Sequence, residues 1–176
     1  MIKKLFPELP VLNGETVTIR PLTLDDADGL RELTGCEEVY RYLPAFLFEK
    51  KYDVETVIER LYVECFKESI ILGIFMEGEF CGLAEFYGFR DDAHKISVGY
   101  RLLERFWGQG IASEALGLMV DYLYGQTDIE IITASTMMEN RASARVLEKN
   151  GFDLVVRASD EDWGYEEPTP SDKWIR

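Results

Sequence analysis

The chain has 176 residues, of which 47% are hydrophobic and 12% aromatic, enough for one compact core that needs neither disulfides nor metal. Its 33 acidic and 19 basic residues give a formal charge of −14, which argues against a general nucleic-acid surface because phosphate binding needs clustered cations. Cys36, Cys65 and Cys81 are odd in number and widely spaced, and His94 is the only histidine, a pattern that fits neither a disulfide framework nor a paired zinc motif.

The N-terminal residues meet Pro7, Glu8 and Pro10 before any apolar run of signal length, and no later stretch is long enough to span a bilayer. A cytoplasmic protein with no membrane partner is expected. The acidity either favours cationic partners or is a solvated face that keeps the protein soluble.

Thr16 to Pro21 alternates like a strand, and Asp25 starts a helix carrying Ala27, Leu30 and Leu33, with Gly35 as its stop. A proline-bearing aromatic loop around Pro44 leads to Val54 to Phe66, where apolar residues recur at helical spacing. Ile70 to Met76, Phe80 to Phe89 and Lys95 to Leu103 are rich in β-branched and aromatic residues, with a tight turn at Glu77-Gly78-Glu79, and read as an antiparallel meander. Ala112, Ala115, Leu116, Met119 and Leu123 mark one helical face ending near Gly125, and the apolar strand Glu130 to Met137 follows. Asn140 caps a further helix that Asn150-Gly151 ends; Phe152 to Arg157 is strand-like, and Lys173 to Arg176 forms a last short strand. This order predicts an α+β (mixed α/β) fold over residues 1–176, one domain with a central, mostly antiparallel twisted sheet flanked by helices.

Glu104 to Leu116 places Gly108 and Gly110 between a strand and the helix after it. Glycine lets backbone approach an anion, and the unpaired N–H groups of a helix's first turn bind phosphate oxygens. The dinucleotide fingerprint is incomplete, with Ser113 where a third small residue would stand, and no Walker lysine occurs.

The segment Trp107 to Leu116, "WGQGIASEAL", and the block Glu139 to Phe152, "ENRASARVLEKNGF", resemble the acetyl-coenzyme A signature and the Asn-x-x-Ser segment of the GNAT superfamily, in a branch similar to the ribosomal-protein N-terminal acetyltransferases. The resemblance implies a GNAT-like domain that moves an acetyl group from acetyl-coenzyme A, a cosubstrate used without metal, onto an amine. It implies that backbone N–H groups of Gly108, Gln109, Gly110, Ile111 and Ala112, with the Ser113 hydroxyl, hold the pyrophosphate. Asn140 and Ser143 would face the pantetheine arm, and the strand end at Leu102 and Leu103 would bond to it as a strand does. Arg101, Arg105, Arg141, Arg145 and Lys149 lie in the same blocks and offer local cations for a polyanion.

The implied chemistry is direct attack by the amine, which calls for a base, an oxyanion site and a proton for the thiolate. Glu85, on a strand face with Cys81, Leu83, Tyr87 and Phe89, is either that base or a rim glutamate, and Asp160 to Asp162 is a second candidate. Many relatives carry a glutamate where Ser97 stands. The family's usual acid position holds Leu147, which leaves Ser143 as acid or as a helix-start hydroxyl. A non-catalytic acyl-coenzyme A sensor or scaffold is the alternative function. The acceptor is a small-molecule amine or a protein N-terminus. Trp163 and Tyr165, taken as exposed aromatics, suit either a homodimer interface or the substrate mouth.

Overall fold

The expected meander is the centre of the sheet. The protein's computed structural model describes residues 2–64 and 67–176. Its elements in chain order are β1 (Leu12–Asn13), β2 (Val17–Arg20), α1 (Ala27–Gly35), the one-turn α2 (Glu37–Tyr40), α3 (Val54–Glu64), β3 (Ser69–Met76), β4 (Glu79–Arg90), β5 (Lys95–Leu102), α4 (Ile111–Gln126), β6 (Ile131–Met137), α5 (Arg141–Lys149), β7 (Asp153–Glu161) and β8 (Thr169–Ile175). They build an eight-stranded sheet in the order β1-β2-β3-β4-β5-β6-β8-β7. Helices flank it, as the sequence pattern predicts, although the short β1 and α2 carry too few residues to show a period. The last two residues of the expected helix Val54 to Phe66, Cys65 among them, lie outside the described residues; Cys36 and Cys81 are free thiols.

The β3–β4 turn takes left-handed backbone at Glu77 and Gly78, the twist that a two-residue hairpin needs. All ladders are antiparallel except β5–β6, whose parallel pairing requires a crossover, and α4 supplies it. α4 buries Ile111, Ala115, Leu116, Met119, Val120 and Leu123. Burying this stripe at about 1.5–3 kcal/mol per large side chain fixes where the helix begins. Glu114, the only acidic side chain in its first turn, accepts from the amides of Thr16 (2.8 Å) and Val17 (3.0 Å). The opening turn is therefore anchored to the β1–β2 hairpin, and its acidic group points away from the cradle.

The parallel ladder is short. It runs from Lys95↔Ile131 to Ser97↔Thr133 and stops, while both strands continue to Leu102 and Met137. At the last rung Ser97 Oγ lies 2.8 Å from Thr133 Oγ1. Beyond this rung the sheet forks, and two cavities occupy the fork. Ser97 thus closes the apex of the fork.

β7 and β8 are longer than their sequence patterns predict. The β7–β8 register shifts twice between Leu154 and Ser159, and Ala158 has φ 50°, so the period-2 signal fails where the strand bulges and then resumes. The resumed part carries Glu161. Pro170, which has no N–H to give a ladder, lies beyond the β6 pairing, whose last rung is Met137↔Ser171.

Candidate active site

Two cavities meet in the fork. The first, of about 390 Å³, is lined by Leu102, Gly108, Gly110, Ile111, Ala112 and Ser113 on one side and by Asn140, Ser143, Arg145 and Lys149 of the α5 segment on the other. The second, of about 190 Å³, is lined by Glu85, Tyr87, Ser135, Glu161, Asp162 and Trp163. Tyr42, Leu43, Tyr100, Arg101, Asn140 and Ser143 border both.

The first cavity has the features of an anion cradle. Gly108 (φ 71°) and Gly110 (φ 80°) are left-handed, and a Cβ at either would meet nothing within 4 Å. Backbone conformation, not crowding, requires glycine there, and the space above is open. Of the residues assigned to the cofactor from sequence, Leu102, Gly108, Gly110, Ile111, Ala112, Ser113, Asn140 and Ser143 line this cavity. Gln109 and Leu103 are not in this lining: the Leu103 N–H already donates to the Cys81 carbonyl, and the Gln109 side chain turns back to the Arg105 carbonyl, a contact that does not use the Gln109 backbone N–H. The Leu102 carbonyl accepts from the Trp107 indole at 2.9 Å. Asn150 donates to the Ser113 carbonyl and hydroxyl (both 3.2 Å), which ties the start of α4 to the end of α5.

The five candidate cations do not act alike, and Arg141 is exposed and outside the lining of this cavity. Arg105 lies outside the lining and pairs with Glu32 and Glu79, and Arg101, although it borders the cavity, has its charge taken up by Glu49 and Glu85. Arg145 and Lys149 line the cavity and make no ion pair among the described residues.

Arg101 organises the boundary between the cavities. Its side chain is 3% exposed, its Nη1 lies 2.9 Å from Glu85 Oε2, and its Nε lies 2.5 Å from Glu49 Oε1. The Glu49 contact is close but misaligned: Arg101 Nε and Nη2 and Glu49 Oε2 are buried without a hydrogen-bond partner among the described residues. Tyr40 donates to Glu49 Oε1 at 3.2 Å. Glu85 is therefore neither a rim side chain nor a carboxylate among apolar groups alone. Burial pushes its carboxyl above the ordinary value, Arg101 opposes that, and Glu49 adds to it. Burial alone would lower Arg101, but Glu49 and Glu85 hold it above the ordinary arginine value. No single sequence segment shows this triad, since Glu49, Glu85 and Arg101 come from three distant stretches.

Asn140 Oδ1 accepts from the Ser143 N–H at 3.2 Å, so the backbone of Ser143, not its hydroxyl, takes the helix cap. The hydroxyl instead lies 3.0 Å from that of Tyr100, which also approaches the Ser143 carbonyl at 3.2 Å. Burial raises the Tyr100 phenol above its ordinary value, and the bond to Ser143 offsets this in part, so the group stays protonated near neutrality. Sequence reasoning missed Tyr100 because a tyrosine on a strand of an aromatic-rich chain carries no distinguishing signal. Leu147, at the expected acid position, is buried in the core.

On the acceptor side, Glu161 Oε2 accepts from the Trp163 indole (2.7 Å), from Ser171 Oγ (2.9 Å) and from Lys173. Burial favours its protonated form, but the Lys173, Trp163 and Ser171 donors outweigh this and hold its pKa below the usual value. Trp163 is 5% exposed, which corrects its reading as a surface aromatic: the bulged β7 folds it over the cavity, and its N–H is satisfied by Glu161. Tyr165 is exposed and donates to the Leu43 carbonyl. No group of three or more His, Cys, Asp or Glu side chains among the described residues is placed to hold a metal, and no helix is long and apolar enough to cross a membrane.

The acetyltransferase (GNAT) domain family matches residues 16–153. Probable N-acetyltransferase YjcK of Bacillus subtilis (strain 168) is 30% identical over 150 residues, covering 81% of this chain and 83% of that protein. Among solved structures, RimL, a ribosomal L7/L12 alpha-N-protein acetyltransferase in complex with coenzyme A, superposes with a TM-score of 0.78 at 18% identity, over 95% of this chain and 97% of that one. The microcin C7 self immunity acetyltransferase MccE, in complex with acetyl-CoA and AMP, gives 0.75 at 18% identity, over 93% of each chain. Motif, fork, cradle and these likenesses agree: the chain belongs to the GNAT acetyltransferase family, whose acetyl donor is acetyl-coenzyme A.

Proposed function

We propose that the protein transfers acetyl from acetyl-coenzyme A to a primary amine by direct attack in a ternary complex. The observation that carries this reading is the shared wall of the two cavities: a donor in the glycine cradle and an acceptor beside Glu85 and Glu161 meet at Tyr100, Asn140 and Ser143. Holding both reactants in one place removes much of the entropic cost of their encounter. The pyrophosphate sits on the first turn of α4, with Arg145 and Lys149 nearby as cations.

The buried Glu49–Arg101–Glu85 group holds two carboxylates for one guanidinium, so the acceptor cavity favours an ammonium. Glu85, with its raised proton affinity, takes the proton that the amine must lose. Glu161, held anionic by Lys173, attracts the ammonium without accepting its proton. When the Tyr100 hydroxyl donates to Ser143 Oγ, the Ser143 hydroxyl is left to donate to the departing thiolate.

RimL is described as acting on a ribosomal protein and MccE as a microcin immunity enzyme, and the chain resembles both in fold, with TM-scores of 0.78 and 0.75. The reading therefore covers protein N-termini and small-molecule amines alike. Free thiol released from acetyl-coenzyme A across a panel of amines and N-terminal peptides tests it. Release with at least one class is expected. Tight coenzyme A binding with no release from any amine would leave a non-catalytic sensor.

A further inference from the structure

The acceptor cavity does not end at Glu85. A third chamber, of about 600 Å³, shares Phe46, Leu47, Glu85 and Tyr87 with it, so one channel runs past the Glu85–Tyr87 edge of β4. At about 190 Å³ the acceptor cavity alone is smaller than the roughly 300–1,000 Å³ of sites that take a whole ligand, whereas the joined chambers fall within that range. The two ends differ in charge. Glu85 lies on the wall the two share; apart from it the inner end carries Glu161 and Asp162 with the one cation Arg101, and the outer chamber carries Lys51 and Lys67 with the one carboxylate Glu68. Neither lysine makes an ion pair among the described residues, in a protein whose formal charge is −14. Phe46, on the shared wall, is 50% exposed, and Phe48 and Phe89 line the outer chamber, which gives an apolar path between the charged ends.

We propose that this channel selects an extended acceptor: an amine at the inner end, a short chain passing Phe46 and Tyr87, and an anionic group on the tail between Lys51 and Lys67. The inference rests on the acceptor reading above. It narrows the class to amines that carry a carboxylate or another anion several bonds away, with a peptide N-terminus followed by acidic residues as the clearest member. A compact amine fills only the inner cavity and forgoes the outer contacts.

The test compares Ser-Gly-Asp-Asp amide, Ser-Gly-Lys-Lys amide and ethanolamine as acceptors at saturating acetyl-coenzyme A, with binding of each followed by calorimetry in the presence of coenzyme A. The acidic peptide is expected to show a KM about fivefold to tenfold below that of the basic peptide at similar kcat, as two exposed ion pairs allow. The double variant Lys51→Glu, Lys67→Glu should cancel or invert that preference while leaving the thermal midpoint unchanged. Thiol release with equal KM for both peptides, or a preference that survives the charge reversal, overturns this inference and leaves acetyl transfer intact. Charge-selective calorimetric binding without thiol release supports the channel and overturns the transfer reading instead. Failure of the acidic peptide both to bind and to react overturns the channel.

Discussion

The hydroxyl of Tyr100 lies 3.0 Å from Oγ of Ser143, at the point where the donor and acceptor cavities meet. The cap of α5 uses the Ser143 N–H, so removing the hydroxyl leaves the helix start intact. Ser143→Ala should lower kcat by roughly tenfold to a hundredfold, about 1.4–2.7 kcal/mol of barrier, with the thermal midpoint nearly unchanged. Tyr100→Phe should lower kcat by about threefold to tenfold without changing the dissociation constant for coenzyme A. The double variant should be no slower than Ser143→Ala alone, because both changes break one path. Steady-state kinetics of the three variants, with denaturation curves, separate this from a structural role, which would move stability and not kcat.

The cradle is better tested at Ala112 than at Gly108 or Gly110, where any side chain would strain left-handed backbone. Ala112→Glu puts an anion in the first turn of α4, which suits the helix dipole but repels a pyrophosphate. Coenzyme A affinity should fall at least tenfold by calorimetry while the thermal midpoint holds or rises. Unchanged affinity would place the pyrophosphate elsewhere.

Most of the fold was legible in the sequence because long, periodic segments reported it: the described part of the Val54 to Phe66 helix, the Ile70 to Leu103 meander and the Ala112 to Leu123 stripe fall on α3, β3–β5 and α4. The glycine cradle was legible for the same reason, since Gly108 and Gly110 are needed for local backbone geometry. What was not legible depends on distant pairing. The short β5–β6 ladder, the bulge at Ala158 and the burial of Trp163 leave no period in the chain. Arg101 and Arg105 read as cofactor cations because only the fold supplies their carboxylate partners, Glu49 and Glu85 for one and Glu32 and Glu79 for the other.

Those partners make Arg101 a stability residue. Arg101→Met removes the one cation from two buried carboxylates and should cost about 3–5 kcal/mol, read as a fall in unfolding free energy by denaturant titration. The loss should shrink at acid pH, where protonation removes the stranded charges. Arg145→Met, by contrast, should weaken coenzyme A binding about twofold to fivefold, more at low salt, with no loss of stability.

With Glu85 as the proposed base, its carboxyl should set the acidic limb of the rate profile. Its carboxyl is raised above the ordinary value of 4.5, so kcat/KM should fall as pH drops through a value higher than that of a free glutamate. Glu49→Gln removes a neighbouring negative charge that raises Glu85 and should shift the limb to lower pH. For stability the sign is opposite to that of an ion-paired surface acid: the folded state holds this proton more tightly, so the contribution of Glu85 declines as pH rises from the unfolded to the folded value. Glu85→Gln should abolish the acidic limb and lower the rate by about a hundredfold. If the limb survives in Glu85→Gln and vanishes in Glu161→Gln, the base is Glu161.

Direct transfer across the shared wall of the two cavities would need both substrates to be bound at once, and initial-rate kinetics test this proposal directly. Thiol release is measured while acetyl-coenzyme A and an N-terminal serine peptide are varied together, and the protein's mass is read after incubation with acetyl-coenzyme A alone. Intersecting double-reciprocal lines, acetylated peptide and an unmodified protein are expected. Parallel lines with an acetyl group on the protein would contradict direct transfer.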